Sequence, residues 1–387
     1  MKIAVVTHYY ASHGGGIEIV AWELAMRLAQ GADVVWLASD CDGIPAKAPA
    51  SVRFVPMRST NRLERLTGLP VPLWSPGALI TLWHEVRSAD AVHLHDFAYA
   101  GNLIAFVAAR VHRRPIVITQ HVGFIPYRNP IVRAVVSGLQ RTLGQIVLAR
   151  ASRVVFVSPV VRNYFAKFVR FRSPPIVLRN GVDTHTFVGC GADGQARARL
   201  ALGVAATRPV LLFVGRFVEK KGLHLLRRLT ERMPDVTWLF AGRGPLHPAA
   251  WNRANVRVLD GLSGATLVPL YCAADMLVLP SVGEGLPLVV QESIACGTPV
   301  LIGEDTAEAV GGPTELVFSC RVGGAREVDS WEKAIRSALA EIAVRRSRLP
   351  LPGPSVPASW EACSAAYAAL FNELISPHSP SELASNP

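Results

Sequence analysis

Two glutamates, Glu284 and Glu292, are the residues of this chain whose type and setting bear most directly on chemistry. Glu284 lies in a glycine-flanked turn after the apolar run Met276–Leu279, and Glu292 lies in the next segment, whose pattern is typical of a helix. Amides at the start of a helix favour anions such as a diphosphate, and an ionised carboxylate accepts hydrogen bonds from hydroxyl groups. Although eight-residue spacings between acids also arise by chance, this strand, loop and helix predict a ligand that carries a diphosphate and sugar hydroxyls.

Two cations stand on another loop that joins a strand to a helix. Arg216 and Lys221 follow the apolar run Val210–Val214 and precede the helical pattern of Gly222–Arg232. Both can face one diphosphate, because an arginine forks onto two oxygens and a lysine acts as a point charge. A solvated basic loop is the alternative, but ligands of doubly wound sheets bind at the carboxyl ends of the strands, which favours a binding site.

A glycine-rich turn follows the first predicted strand, Ile3–Thr7, and opens the first predicted helix. Gly15 and Gly16 would let the backbone approach a phosphate closely, and the start of the helix would supply amides. A tight structural turn explains the same glycines about as well, so this motif alone is a weak indication of a site.

Three histidines end neighbouring strands of the first half. His93 and His95 lie at the end of one predicted strand and His121 at the end of the next, so all three should reach the same edge of a parallel sheet. A structural hydrogen bond is the alternative role for each. A metal site is not expected, since no third ligand of suitable spacing joins His93 and His95.

Apolar runs alternate with helical patterns along the whole chain, which predicts an α/β fold of parallel sheets with crossover helices. A length of 387 residues favours two domains. We expect a basic first domain over residues 1–178, a second over 179–357, a final helix over 358–376 and a disordered tail over 377–387. The strands predicted for the second half are Val210–Val214, Thr237–Ala241, Val256–Leu259, Met276–Leu279 and Val300–Ile302.

The net charge of +11 is confined to the first half. Residues 1–178 hold 20 Lys and Arg against 9 Asp and Glu, and no acid lies between Asp96 and Asp183. This asymmetry predicts an anionic partner, either a membrane surface, a phosphorylated acceptor or a nucleic acid, although a GC-rich genome explains part of the arginine excess. Bases interleaved with aromatic residues form the predicted membrane or acceptor contact: Arg162, Lys167, Arg170 and Arg172.

The segment Ile131–Arg150 predicts an amphipathic helix. Its apolar face would consist of Val132, Val135, Val136, Leu139, Leu143, Ile146 and Val147, with Arg133, Gln140, Arg141 and Gln145 largely off it. Such a helix can lie on an anionic membrane. A helix packed on a sheet needs the same stripe, however, and core packing is the expectation.

Five motifs occur in a fixed order along the chain. They are Gly15-Gly16-Ile17-Glu18, Asn180-Gly181-Val182-Asp183 with Phe187, Gly215-Arg216 with Lys221-Gly222, Gly242-Arg243-Gly244-Pro245, and the stretch from Pro280 to Val300. Together they resemble the motifs of retaining glycosyltransferases of family 4, which have the GT-B fold. The resemblance implies two Rossmann-like doubly wound domains facing a cleft, with the acceptor on the first domain, the nucleotide sugar on the second, and a final helix that crosses back to the first.

The resemblance also implies roles for the residues around Glu284. Glu284 itself would contact hydroxyls of the donor sugar. The backbone amides of Gly285 and Leu286 would lie near the sugar or its phosphates, and Glu292 would hold the ribose hydroxyls.

The other implied roles concern the diphosphate and the transferred sugar. Arg216 and Lys221 would neutralise the leaving diphosphate, because this family works without a metal or another cofactor. Gly15 and Gly16 would pack against the diphosphate from the first domain, and His121 would lie beside the transferred sugar.

The function implied is that of a retaining hexosyltransferase that moves a hexosyl group from a UDP- or GDP-sugar to a lipid-linked or cell-envelope glycan acceptor. A cytoplasmic protein, peripheral on the inner face of the cell membrane, would fit that role. The alternative is a soluble transferase that makes a small glycoside or a storage polysaccharide. A sugar-nucleotide epimerase is disfavoured by the Arg216–Lys221 loop, and a nucleic-acid partner is not expected because no RNA-binding signature is present.

Overall fold

The computed structural model describes residues 1–45, 49–61, 72–124, 130–205, 207–312, 314–348 and 358–376. These residues form two separate parallel sheets and the helices that cover them. The expected disordered tail over 377–387 lies outside the described residues, as does the proline-rich stretch over 349–357.

The first half folds into a parallel sheet of seven strands. They are β1 (Lys2–Tyr9), β2 (Asp33–Ser39), β3 (Val52–Met57), β6 (Ala91–His95), β7 (Ile116–Gln120), β8 (Arg153–Phe156) and β9 (Ile176–Val177), while β4 (Ser59–Thr60) and β5 (Leu73–Trp74) form an antiparallel pair. The order in the sheet is β3-β2-β1-β6-β7-β8-β9. Most of these strands are continuous apolar runs, because a parallel sheet is covered on both faces.

The second half folds into a parallel sheet of six strands. They are β10 (Val210–Val214), β11 (Thr237–Ala241), β12 (Val256–Leu259), β13 (Met276–Leu279), β14 (Val300–Gly303) and β15 (Val317–Cys320), in the order β12-β11-β10-β13-β14-β15. Four of the five strands predicted for this half have the predicted bounds. The strand β14 is one residue longer than expected, and β15 adds an edge strand that was not predicted.

The helices among the described residues are α1 (Gly16–Leu28), α2 (Pro76–Ser88), α3 (Ala100–Val111), α4 (Pro130–Val147), α5 (Pro159–Ala166), α6 (Gly191–Ala201), α7 (Leu223–Arg232), α8 (Val268–Ala273), α9 (Leu288–Ala295), α10 (Glu304–Val310), α11 (Glu327–Arg348) and α12 (Trp360–Ile375). Serine caps start three of them: Ser75, Ser158 and Ser359 accept from amides of α2, α5 and α12, and a proline stands at the first helical position of α2 and of α5. Within the described ranges, no helix is both long and apolar enough to span a membrane.

The first sheet is packed between two groups of helices. Helices α2, α3 and α5 contribute to the core on one face, and α1 and α12 contribute to the core on the other. The buried residues of α12 in that second core are Trp360, Cys363, Tyr367, Leu370 and Phe371. Helix α12, the last helix among the described residues, therefore completes the core of the first domain.

The chain leaves the first sheet and returns to it at one place. The amide of Val182 donates to the carbonyl of Ala358 at 2.9 Å, and Val182 pairs with Ser359 in a short parallel bridge. The strand β9 ends just before residue 178 and β10 begins well after it, so the two sheets fall on either side of the predicted boundary. The limits of the domains themselves stay predictions.

The predicted core packing of the apolar stripe on α4 is wrong for the middle of the helix. Val135 and Leu139 are 55% and 53% exposed, whereas Gln140, expected off the packed face, is buried. Gln140 donates its amide to the carbonyl of Gly123 at 3.0 Å and accepts the hydroxyl of Tyr164 at 3.1 Å. Because these hydrogen bonds satisfy the buried amide, the helix turns Gln140 inward and part of the apolar stripe outward.

Replacing Gly181 by alanine is expected to lower the midpoint of thermal unfolding. A methyl group there would lie 2.5 Å from both the backbone nitrogen and the Cα of Trp360, so the start of α12 would have to shift. We expect a loss of about 1–3 kcal/mol, as for other overpacked sites. Differential scanning calorimetry measures the change in midpoint.

Gly138→Ala is the matched control for this substitution. A methyl group at Gly138, within α4, meets nothing within 4 Å. Alanine is the better helix former, so this variant should be neutral or more stable by about 0.5–1 kcal/mol. Equal midpoints for the Gly181 and Gly138 variants would contradict the close packing of α12 on the linker.

Candidate active site

The carboxylate of Glu284 and the ammonium group of Lys221 form an ion pair at the edge of the second sheet. Oε1 and Nζ are 2.9 Å apart, and the two side chains are 12% and 14% exposed. Glu284 follows β13 and Lys221 follows β10, and these two strands are hydrogen-bonded neighbours. Because the carboxyl ends of parallel neighbours meet at one edge, the fold brings together residues from two separate sequence motifs.

Nearby cations keep Glu284 ionised. Burial raises the pKa of this carboxyl group, but Lys221, Lys220 and Arg216 together outweigh burial, and the pKa lies below its ordinary value. Lys220 was not predicted as a site residue. Burial lowers the pKa of its ammonium group, and the charge of Glu284 opposes that effect. The loop after β10 therefore presents three cations around one carboxylate, which leaves net positive charge for an anionic ligand.

The loops that carry these charges are held together through Gly222. This glycine has a φ of 77°, and a methyl group on it would lie 2.5 Å from the carbonyl oxygen of Pro280. Close by, the amide of Val282 donates to the carbonyl of Lys220 at 3.0 Å. These backbone contacts fix the spacing of the two loops and thereby the spacing of their charged side chains.

The loop after β13 also packs against the first domain. A methyl group on Gly285 would overlap the carbonyl oxygen of His121. Leu286 is 7% exposed and belongs to the core of the first domain. The side-chain amide of Asn180 donates to the carbonyl of Leu286 at 3.2 Å. The loop that carries Glu284 therefore packs directly against the backbone of His121.

His121 is a buried, neutral residue at the end of β7. Burial lowers the pKa of its imidazole to about 3. Its amide donates to Oδ1 of Asp96 at 2.7 Å, and its Nε2 atom lies 3.0 Å from Nδ1 of His95. The rings of His93 and His95 are 4.3 Å apart, so the three histidines do converge at one sheet edge.

The glycine-rich turn opens α1 as predicted, and a buried contact between Glu18 and His8 braces it. Gly15 is the N-cap of α1, and Gly16 is the first residue of the helix. The carboxylate of Glu18 lies back over Gly15, where a methyl group would overlap it. Oε1 of Glu18 lies 3.0 Å from Nε2 of His8, which lies on β1. Burial raises the pKa of Glu18, but His8 outweighs burial and the pKa is lowered.

A second contact joins the two walls of the cleft. Arg243, in the glycine turn after β11, donates Nη2 to the carbonyl of His13 at 2.8 Å. A methyl group on Gly14 would lie 2.8 Å from the same nitrogen. This turn therefore contacts the glycine-rich turn of the first domain, a role beyond turning the chain that its sequence did not indicate.

Glu292 lies in the second turn of α9 and accepts the hydroxyl of Tyr271 at 2.7 Å. Burial raises the pKa of Glu292 to about 7; the hydrogen bond from Tyr271 opposes this, and the charge of Glu23 in the first domain adds to it. The second predicted carboxylate therefore titrates near neutral pH, unlike Glu284.

The four predicted bases of segment 162–172 form a separate surface. Arg162 donates to Asn163 of its own helix, and Lys167, Arg170 and Arg172 are exposed. Among the described residues, none of the four is ion-paired or hydrogen-bonded to the charged groups of the cleft. The structure does not bring this segment together with the other predicted site residues.

The cleft as a whole has two electrostatically different walls. The second domain supplies three cations and two carboxylates, and the first supplies the neutral His121 and the start of α1, over which the carboxylate of Glu18 lies beside His8. Such a cleft can bind a diphosphate and accept hydrogen bonds from hydroxyl groups. In the part of the chain that the structure describes, no three His, Cys, Asp or Glu side chains are grouped as metal ligands.

Comparisons with known proteins match most of the chain to glycosyltransferases. The family model Glycosyltransferase Family 4 matches residues 14–186, and the model Glycosyl transferases group 1 matches residues 208–341. An alpha-maltose-1-phosphate synthase from Mycobacterium tuberculosis is 27% identical over 340 residues, which cover 82% of this chain and 82% of the relative.

Solved structures show the same fold. Sucrose-phosphate synthase from Thermosynechococcus elongatus has a TM-score of 0.76 at 18% identity, covering 97% of this chain and 99% of that one. Anabaena HepE in complex with UDP-glucose has a TM-score of 0.66 at 17% identity, covering 97% of this chain and 98% of that one. Since the two family models match the two halves in order and the architecture is that of GT-B enzymes, the chain belongs to the family 4 glycosyltransferases.

Proposed function

We propose that this enzyme transfers a hexosyl group from a nucleotide sugar to a small, hydroxyl-bearing acceptor with retention of anomeric configuration. The observation that carries the proposal is the ion pair of Glu284 and Lys221, on a loop whose Gly285 packs against the backbone of His121 in the first domain. The relative from M. tuberculosis is named for a small phosphorylated glycoside as product. That name supports a small acceptor, which the sequence analysis gave as the alternative. It gives less support to the cell-envelope glycan acceptor that was the main expectation.

The donor would lie with its diphosphate on the loop after β10. Arg216, Lys220 and Lys221 would hold the phosphates, and the ionised Glu284 would accept hydroxyls of the sugar. Glu292 would accept the ribose hydroxyls. A UDP-sugar is the first donor to test because the fold is shared with a protein solved with UDP-glucose, and a GDP-sugar is the second.

Transfer would proceed without a metal ion or another cofactor. The three cations of the loop would stabilise the charge that develops on the leaving diphosphate. The leaving phosphate oxygen would accept the proton of the attacking hydroxyl on the same face of the sugar, which retains the configuration. A neutral His121 would lie beside the transferred sugar without adding to the positive charge that develops at the anomeric carbon.

A lipid-linked acceptor is the second candidate, and the outer face of α4 favours it. Ile131, Val135, Leu139 and Ile146 are 72%, 55%, 53% and 50% exposed and follow one another along the helix. Residues 97–182 contain no acid, so nothing in this segment offsets the exposed arginines of α4. An apolar stripe beside bases suits an anionic membrane surface, and a cytoplasmic enzyme peripheral on the inner face of the cell membrane would fit it.

Lys221→Ala and Glu284→Gln are each expected to lower kcat by about 10²- to 10³-fold, as when one preorganised group that stabilises charge is removed. The assay would measure release of UDP from UDP-glucose in the presence of a panel of phosphorylated hexoses. Nuclear magnetic resonance of the product would give its anomeric configuration, which should be α.

Lys333→Ala is the control for the lysine substitution. Lys333 is exposed on α11 of the same domain, so this variant should keep the rate of the unmodified enzyme. Circular dichroism would show that all variants are folded. Full activity of either cleft variant would refute the assignment of the site, and a β-linked product would refute retention.

Binding of UDP-glucose is expected to strengthen as the pH rises from 6 to 8. The pKa of Glu292 is about 7, and the ionised carboxylate is the better acceptor for ribose hydroxyls. Only about one tenth of the protein carries it ionised at pH 6, so Kd should be about tenfold larger there than at pH 8. Isothermal titration calorimetry would measure Kd and the protons released on binding.

Glu292→Gln provides the comparison, because a glutamine keeps the shape but cannot ionise. This variant should bind UDP-glucose weakly with no pH dependence between 6 and 8. A flat profile for the unmodified enzyme would argue against the ribose role of Glu292.

The double substitution Val135→Ser and Leu139→Ser is expected to weaken binding to phosphatidylglycerol vesicles at least about tenfold, since two apolar side chains would no longer enter the lipid. Binding by the unmodified protein should fall as salt is added. Leu200→Ser, at a residue 81% exposed on α6 of the second domain, should bind like the unmodified protein. Vesicle co-sedimentation measures all three. Binding that is absent, or insensitive to salt and to the double substitution, would eliminate the membrane candidate.

A further inference from the structure

The histidines at the carboxyl ends of β6 and β7 differ in their partners. His95 is fully buried, and its Nδ1 atom lies 3.0 Å from Nε2 of His121. His93 is also fully buried, but its Nε2 atom lies 2.8 Å from the hydroxyl of Thr119, which in turn lies 2.8 Å from the hydroxyl of Tyr367 in α12. His95 is therefore the histidine whose ring contacts the proposed site residue.

An unusual turn holds the backbone on both sides of this contact. Asp96 has a φ of 59°, in the left-handed region that non-glycine residues rarely adopt. Asn102 fixes the turn, because its side-chain amide donates to the carbonyl of His95 at 2.7 Å and to that of Asp96 at 2.6 Å. The turn directs the carboxylate of Asp96 to the amide of His121 at 2.7 Å. With both backbones held, the imidazole of His121 is oriented by its bond to His95.

The surroundings of His95 decide which of its nitrogens carries the proton. Its Nε2 atom is buried and has no hydrogen-bond partner among the residues that the structure describes. A proton on Nε2 would be a buried N–H without an acceptor, which is costly and rare. A proton on Nδ1, in contrast, is donated to Nε2 of His121.

We propose that His95 is a positioning residue that donates from Nδ1 to Nε2 of His121 and so holds the single proton of His121 on Nδ1. The proposal deepens the proposed function and rests on it, since it gives His121 one defined donor for a hydroxyl of the transferred sugar. Both imidazoles are neutral, because burial lowers the pKa of each far below its ordinary value. Without His95, the ring of His121 can rotate or move its proton to Nε2, and the donor is lost.

His95→Leu and His95→Asn separate this role from simple packing. The amide nitrogen of asparagine takes about the place of Nδ1 and can donate to His121, whereas leucine fills the space without a donor. Leucine should lower kcat for transfer from UDP-glucose at least about tenfold while changing KM for the donor less, and asparagine should restore most of the rate.

The tautomer itself is measured without any substrate. In protein labelled with 15N-histidine, long-range 1H–15N correlations distinguish a proton on Nδ1 from one on Nε2, and the spectrum of His121→Asn identifies the signals of His121. We expect the Nδ1–H tautomer in the unmodified protein and in His95→Asn. His95→Leu should show the Nε2–H tautomer or a mixture.

Thr119→Val controls for lost stability. The substitution removes the buried hydrogen bonds of the Thr119 hydroxyl on β7, the strand that leads to His121. It leaves the contact of His95 with His121 intact. This variant should melt at a lower temperature yet keep kcat and the tautomer. An Nε2–H tautomer of His121 in the unmodified protein, or full kcat in His95→Leu, would overturn the proposal. An Nδ1–H tautomer that depends on His95 in a protein without transferase activity would support the positioning role and refute the proposed function instead.

Discussion

The need to keep a poorly hydrated carboxylate ionised shapes the cleft of this protein. Glu284 is only 12% exposed, and a carboxylate in that position is stable when cations replace its lost water. Lys220, Lys221 and Arg216 meet that requirement from the loop of the neighbouring strand. The two loops can bring these charges together because β10 and β13 are adjacent parallel strands. The loops also need a glycine at position 222, where they contact each other. The neighbouring strands, the glycine at position 222 and the three cations thus all serve to keep Glu284 ionised.

The first domain contributes a neutral imidazole to the same cleft, because burial disfavours the charged form of His121. The pKa of His121 is lowered to about 3, and its backbone touches Gly285 of the charged wall. A ligand with a diphosphate at one end and a sugar at the other would therefore find cations around the phosphates, and the ionised Glu284 together with the neutral His121 around the sugar. This division is established by the protein alone, before any ligand binds, which lowers the reorganisation needed when a donor enters.

Much of the fold could be predicted from the sequence, because a strand buried on both faces is a continuous apolar run, as in Val210–Val214 and Met276–Leu279. The approach of Glu284 to Lys221 could be predicted for the same reason, because each residue follows such a strand. The orientation of α4 could not be predicted, because an apolar stripe does not show that Gln140 forms buried hydrogen bonds with Gly123 and Tyr164. Glu18 belongs to the motif Gly15-Gly16-Ile17-Glu18, but its pairing with His8 arises only when α1 packs over β1.

The return of the chain at Val182 has a consequence for synthesis on the ribosome. Helix α12 supplies Trp360, Tyr367 and Phe371 to the core of the first domain, yet it is made after the whole second sheet. The first domain therefore begins to emerge first but cannot close its core until Trp360–Ile375 has been translated after the second sheet. Until then, α12 does not cover its part of one face of the first sheet. The second domain, although it emerges later, can therefore complete its hydrophobic core before the first domain does.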